Sequence, residues 1–242
     1  MRKAWEGQLI PLRSLPRVFV PGADPSGAIE LPKEEVDKLR KVLRLTSGAH
    51  IGVLPNDGRL IRCVFDGHEA LPIEVVTPNT EPALELTIAQ ALPKGDKLDE
   101  IVRACSELGA SHFMLFPSER TVVKWDERKK ADRVHRLETI AREAAEVSFR
   151  TKLPTFRLEK DLRSVLDGSP SAIVLSEVEG VSATLVSAVG AQTRITLVGG
   201  PEGGWARGEL EVIGSRGVSL GPRVLRVDHA AAAAAAILLL NR

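Results

Sequence analysis

The chain has 242 residues, of which 43% are hydrophobic and 27% charged, with a formal net charge of +1 at pH 7. That length suffices for one large or two modest domains with proper cores, and the composition excludes a disordered chain. The near-zero charge announces no nucleic-acid partner, yet a basic face balanced by acidic residues elsewhere stays compatible with one.

The two cysteines, Cys63 and Cys105, are too few for a disulfide framework and lack metal-ligand spacing. They point to a reducing compartment and to buried packing roles, and no metal site is expected. The opening MRKAWEGQLI has no apolar signal-peptide core, and the apolar run Ala230–Leu240 is too short to span a bilayer. A cytoplasmic location without a membrane partner is the expectation.

Residues 17–76 are short apolar runs, Val18–Val20, Ile51–Leu54, Leu60–Val64 and Ile73–Val76, separated by turn signals. Asn56-Asp57-Gly58 falls where a tight hairpin turn belongs. A helix over Pro32–Leu43 is predicted, with Val36, Leu39, Val42 and Leu43 on one face and Lys38, Arg40, Lys41 and Arg44 mostly outside it. Together these read as a small β-barrel, either a scaffold with a solvated charged helix or a nucleic-acid-binding module.

Thr77–Pro82, a polar stretch with two prolines, marks a boundary, and the pattern then changes. A strand over Leu84–Leu92 leads into a helix from Asp96 to Leu108, which Gly109 ends. A strand at His112–Phe116, a loop at Ser118–Lys124 and a long charged helix from Asp126 to Phe149 follow. Ala172–Leu175 and Ile195–Val198 read as strands and Glu209–Ile213 as the core of a short helix. Val218–Leu220 reads as a last strand before a final helix from Asp228 to Leu240. Alternating strands and helices predict an α/β domain with a largely parallel sheet over residues 83–242. The alanine block Ala230–Ala236 suits close helix packing, within the chain or against a second copy.

The glycines concentrate in Leu197–Leu225, in one loop over Gly199–Gly204 and another over Gly217–Gly221. The first follows a strand and precedes a helix, where α/β proteins bind ligands. It is neither a P-loop nor a GxGxxG fingerprint, so phosphate cradling is poorly supported. On spacing alone, a tight turn and a close-approach binding loop both stand.

Gly200–Gly204 (GPEGG) together with Leu220–Arg226 (LGPRVLR) resembles the ribosomal RNA methyltransferases that act on N3 of a uridine in small-subunit (16S) RNA, a family of the SPOUT superfamily. Further blocks match in the same order: Arg17-Val18-Phe19, Val42-Leu43-Arg44-Leu45, Lys97–Gly109, Ser118-Glu119-Arg120, and Arg142–Arg150 with Pro154. Each block is weak, but the ordered set is specific and covers nearly the whole chain. The resemblance implies an N-terminal PUA-like RNA-binding β-barrel (residues 1–78) and a C-terminal SPOUT α/β domain (83–242) with a deep trefoil knot. It also implies a homodimer, S-adenosylmethionine as cofactor, and small-subunit ribosomal RNA or the 30S subunit as partner. A SPOUT methyltransferase with another RNA target, and an RNA-binding or assembly factor with little turnover, are the alternatives.

By the same resemblance, the cofactor would be held by Leu175, Glu177, Gly199, Gly200, Pro201, Glu202, Gly203, Leu220, Gly221, Val224 and Leu225. RNA contacts would come from Arg17, Arg44, Lys94, Lys97, Arg120 and Arg223, and catalysis from Arg226, Asp228 and Arg150. Four arginines against one aspartate over residues 214–242 (Arg216, Arg223, Arg226 and Arg242 against Asp228) make that end locally basic. The chain departs from the family at several places. Asp228-His229 stands for Glu-Thr, Val147 for a glutamine and Lys38 for a histidine. His229 reads either as a proton relay or as a helix-start residue without a chemical role. Ala206 stands for a serine that would complete a capping box with Glu209, a loss of about 1 kcal/mol.

Overall fold

A computed structural model describes residues 10–123, 125–177 and 183–240. The chain divides into two compact units, Met1–Glu81 with Phe149–Lys152, and Pro82–Ser148 with Leu153–Arg242. The return of Phe149–Lys152 to the first unit is not legible in the sequence.

The first unit is a curled five-stranded sheet of β1 (Arg17–Phe19), β2 (Ile29–Glu30), β3 (Ala49–Leu54), β4 (Leu60–Phe65) and β5 (Glu69–Val76). Its order is β1-β3-β4-β5-β2, and no pairing joins β1 to β2 among the described residues. Every residue of β4 is buried, as its central place requires. Even Arg62 is buried there, its Nη1 donating to Ile10 O at 2.7 Å and its Nε lying 3.3 Å from Glu74 Oε2. The predicted turn joins β3 to β4, with Asn56 and Gly58 at φ 69° and 99°.

The helix predicted over Pro32–Leu43 is shorter and changes pitch. α1 covers Lys33–Asp37, and Lys38–Val42 forms a π-type turn. The wider turn rotates the later residues off the buried face. Leu39 is buried, but Val42 and Leu43 are 72% and 43% exposed, so the expected four-residue stripe does not form. Arg44 leaves the turn in a left-handed conformation at φ 55°. Both cysteines are buried, as expected.

The second unit is a wholly parallel six-stranded sheet: β6 (Glu85–Ala91), β7 (His112–Phe116), β8 (Thr155–Leu158), β9 (Ile173–Leu175), β10 (Arg194–Gly199) and β11 (Gly217–Val218). The order is β11-β9-β10-β6-β7-β8. The helices are α2 (Lys97–Leu108), α3 (Glu127–Val147), α4 (Leu162–Gly168), α5 (Leu185–Val189), α6 (Arg207–Ile213) and α7 (Val227–Leu239). Strand alternation sorts them onto two faces. Leu86, Ile88, Ile195 and Leu197 pack with α2, α3, α5 and α7, whereas Ala89, Ala91 and Val198 pack with α4 and α6.

Sequence reading passes over β8, α4 and α5, which are short and sparsely periodic, and it lengthens β11 to Leu220. The alanines Ala231, Ala234 and Ala235 are buried within this unit, and small side chains let α7 lie close across α2. Asp126 caps α3 by accepting from Lys129 N at 2.8 Å. The helix ends at Val147, two residues short of Phe149, whose φ of 63° no α-helix allows. Gly109 closes α2 at φ 109°, and any Cβ there would sit 2.5 Å from Pro82 Cγ. Buried Asp99 ties α2 to α3 by accepting from Arg133 and Arg136 at 3.2 and 2.6 Å.

Candidate active site

Strand order reverses beside β6. β7 and β8 extend one way, while β10, β9 and β11 lie on the other side. In open α/β sheets, ligands bind at such a reversal, outside the carboxyl ends of the strands. A cavity of about 620 Å³ opens there, lined by Gln90, Leu175, Gly199 and Val218 from the ends of β6, β9, β10 and β11. Its size suits a small-molecule cofactor.

Two loops complete it. The first, after β10, contributes Gly199, Gly200, Pro201, Glu202, Gly204 and Trp205. It is held from several sides. The Gln90 amide donates to Gly200 O at 3.0 Å, and Trp205 Nε1 donates to Leu175 O at 2.9 Å. Glu202 accepts from Lys94 N at 2.9 Å and Lys97 Nζ at 2.7 Å. Burial pushes the Glu202 carboxyl up, but those donors outweigh it and hold its pKa below the usual 4.5. Arg120 Nη1 donates to Gly203 O. A Cβ on Gly200 would lie 3.0 Å from the Trp205 indole, so the glycine lets the loop fold down onto that ring.

The second loop, after β11, contributes Ser219, Leu220, Arg223, Val224, Leu225 and Arg226. Gly221, at φ 120°, turns it, and the Ser219 hydroxyl accepts from Gly221 N and donates to Gly221 O. Glu177, beyond the end of β9, accepts from Leu225 N at 3.1 Å. Where this loop enters α7, Arg226 Nε lies 3.3 Å from Asp228 Oδ1 and His229 Nε2 lies 3.9 Å from Asp228 Oδ2. Arg226 pairs with Asp228 Oδ1 without hydrogen-bond geometry, and that buried oxygen has no hydrogen bond among the described residues. The carboxylate sits in the first turn of α7, where the helix end favours negative charge.

The cavity thus offers apolar walls from Leu175, Leu220, Leu225 and Trp205, with charges of both signs at its edge. Leu175, Glu177, Gly199, Gly200, Pro201, Glu202, Leu220, Val224 and Leu225 line it, as do Lys97, Arg223 and Arg226. Gly203 and Gly221 shape the same two loops without lining the cavity. Lys94 meets Glu202 through its backbone, while the Lys97 ammonium, expected on RNA, is bound to Glu202. Arg242 lies outside the described residues, so the basic C-terminal end is described through Arg216, Arg223 and Arg226.

Arg150, expected in catalysis, lies in the first unit, where it is 3% exposed and its Nη2 meets Glu81 Oε2 at 2.8 Å. The same carboxylate accepts from Thr151 N at 2.7 Å and Lys152 N at 3.2 Å. Arg150 therefore anchors the Phe149–Lys152 segment within the first unit. Arg17, also in that unit, lies 4.7 Å over the Phe149 ring and donates to Leu12 O and Arg13 O. Arg44 is exposed.

The capping expectation at Ala206 is half met. Ala206 offers α6 no side-chain cap, but Glu209 Oε2 accepts from Ala206 N at 2.9 Å while its Oε1 accepts from Glu119 N at 3.0 Å. Sequence reasoning missed Gln90, Trp205 and Ser219. The signal for Gln90 was the lone amide in the mostly apolar stretch Leu84–Leu92.

The model of the RNA methyltransferase domain family matches residues 80–239. A Bacillus subtilis protein named ribosomal RNA small subunit methyltransferase E is 34% identical over 215 residues, covering 81% of this chain and 84% of the relative. A Synechocystis protein of the same name is 33% identical over 210 residues, covering 82% and 68%. Among solved structures, a Legionella pneumophila methyltransferase in complex with S-adenosylmethionine superposes with a TM-score of 0.86 at 26% identity, covering 93% of this chain and 96% of that one. A Neisseria gonorrhoeae ribosomal RNA small subunit methyltransferase E bound to S-adenosylmethionine gives 0.83 at 26%, with the same coverage. The chain belongs to the ribosomal RNA small subunit methyltransferase E family.

Proposed function

We propose that the chain transfers a methyl group from S-adenosylmethionine to N3 of a specific uridine in small-subunit (16S) ribosomal RNA. The observation that carries this reading is the cavity at the strand reversal, in which both glycine loops meet beside the Arg226–Asp228 pair. The residues fit the cofactor. Leu220, Val224 and Leu225 offer apolar contact for an adenine, and Glu177 offers a carboxylate to hydroxyl or ammonium donors. When bound, the cofactor supplies an electrophilic methyl group and a neutral thioether leaving group.

The chemical difficulty lies in the nucleophile, since uracil N3 carries a proton. Arg226 stabilises the anionic base through its fixed positive charge, lowering the N3 pKa. Asp228, whose buried Oδ1 has no hydrogen bond among the described residues, accepts the proton. Arg223, at the rim, and Arg120, beside the first loop, hold phosphates of the substrate strand. The target base must leave its stack to reach the cavity. The family resemblance supplies the finer assignments, namely a PUA-like barrel over residues 1–78, a SPOUT domain over 83–242 with a deep trefoil knot, a homodimer, and a cytoplasmic site of action on ribosomal RNA or the 30S subunit. The curled first sheet and the displaced order of β9, β10 and β11 support the fold part of that reading.

The test is mass-spectrometric mapping of N3-methyluridine in ribosomal RNA with and without this gene. Loss at one uridine, restored by the wild-type gene but not by Arg226→Ala, is the expected result. Unchanged methylation on deletion would refute the assignment. Titration with S-adenosylmethionine comes first, because a purified protein that binds none cannot be the enzyme.

A further inference from the structure

On spacing alone, the Gly199–Gly204 loop reads as a tight turn or as a close-approach binding loop. Its first glycine answers to a protein group instead. Gln90, next to last in β6, is fully buried between Ala89 and Ala91. Its Nε2 donates to Gly200 O and Ala91 O at 3.0 Å each, with Gly199 O at 3.4 Å. Three carbonyls around one nitrogen settle the orientation of the amide, since the reverse would set oxygen against oxygen. Oε1 then faces Gly199, where any Cβ would overlap it. That oxygen is buried without a hydrogen-bond partner among the described residues. A buried amide oxygen without a partner is unfavourable, so the residue is held by what its nitrogen does. Gly199 has no positive φ, so its backbone does not require glycine.

Gly199 and Gly200 are cavity wall. We propose that Gln90 is a positioning residue for methyl-donor binding: its carboxamide clamps the Gly199 and Gly200 carbonyls so that this wall is set before the ligand arrives. On the same geometry, Gly199 is glycine to admit the carboxamide. This inference rests on the cofactor assignment above. A wall fixed in advance removes an ordering cost from binding, so its loss appears in affinity rather than in the chemical step.

The test is a set of variants titrated with S-adenosylmethionine at a temperature well below every unfolding midpoint. Gln90→Met keeps the side chain's length and removes the donor. It should raise Kd about tenfold, raise KM for the cofactor in step, and leave kcat at saturation within about twofold. Gly199→Ala should weaken binding similarly, because its Cβ evicts the carboxamide. Gly199→Ala placed in a Gln90→Ala background should cost nothing further, since the space is then vacant. Additive losses, or a Gly199→Ala variant of normal affinity, would overturn the proposal. So would a Gln90→Met variant with a lowered unfolding midpoint but unaltered Kd, which is the mark of a merely structural residue. A wild-type protein that binds no cofactor would bring down the cofactor assignment and this inference together. Normal wild-type binding with unaltered Gln90→Met affinity would overturn this inference alone.

Discussion

Replacing Trp205 separates the two things its side chain does. The indole is 7% exposed, packs in the core on the α4 and α6 face, lies under Gly200, and donates to Leu175 O at 2.9 Å. Trp205→Phe keeps a ring under the glycine but strands that carbonyl and leaves a small gap. A net hydrogen bond contributes about 1 kcal/mol, and the missing ring volume adds about 1 kcal/mol more. Trp205→Ala removes the whole floor and should cost about 3–5 kcal/mol. For a chain of this size, each kcal/mol shifts the midpoint by about 2–4 °C. Thermal unfolding should therefore show a drop of about 4–8 °C for Trp205→Phe and at least about 6 °C for Trp205→Ala. Both variants should also bind S-adenosylmethionine more weakly, because Leu175 and Gly200 are both cavity wall. Trp205→Phe matching wild type in midpoint and affinity would refute the reasoning, since the Leu175 bond would then contribute nothing.

Three further outcomes are expected. Glu81→Gln should destabilise the first unit by about 3 kcal/mol in urea unfolding, near the low end for a broken buried pair because Glu81 keeps some solvent contact. A loss under about 1 kcal/mol would instead class the pair with surface ion pairs. Glu202, with its pKa held below 4.5, contributes stability that is complete above pH 4.5 and lost as pH falls through the lower folded value. Glu202→Gln should therefore flatten the dependence of stability on pH below 4.5, and a parallel pair of curves would show that Lys94 and Lys97 do not hold it. Burial pushes the Cys63 and Cys105 thiols up to about 12, so neither should react with iodoacetamide at neutral pH in the native protein, while both should react once it is unfolded.

α2 was legible because burial on one face leaves a repeat in the sequence, and β6 and β10 because burial on both faces leaves a largely apolar run between turn signals. β6, β7, β10, α2 and α7 lie within a residue or two of their predicted limits. β8, α4 and α5 are too short to build a repeat, and their apolar residues acquire meaning only from the sheet they cover. The Lys33–Val42 region misled because a π-type turn changes the pitch on which the helical stripe was read, and pitch depends on what the turn packs against.

At the site, the two glycine loops and the arginines between Leu220 and Arg226 stood out by residue type and spacing. Their convergence on one cavity comes from the strand order, which places the ends of β9, β10 and β11 together although the chain separates them. The same contacts across the chain decide the roles of single residues. Arg150 carries no sign in the sequence of its pairing with Glu81, which anchors the Phe149–Lys152 segment. Gln90 looked like an incidental polar residue in a strand, but the loop that follows β10 supplies the carbonyls that give it work. By itself, the sequence determined the local elements and the chemical types available, because those depend on neighbours a few residues away. Only the tertiary structure decided which charges are paired, which glycine serves which partner and where the cavity lies, because those depend on contacts between residues far apart in the chain.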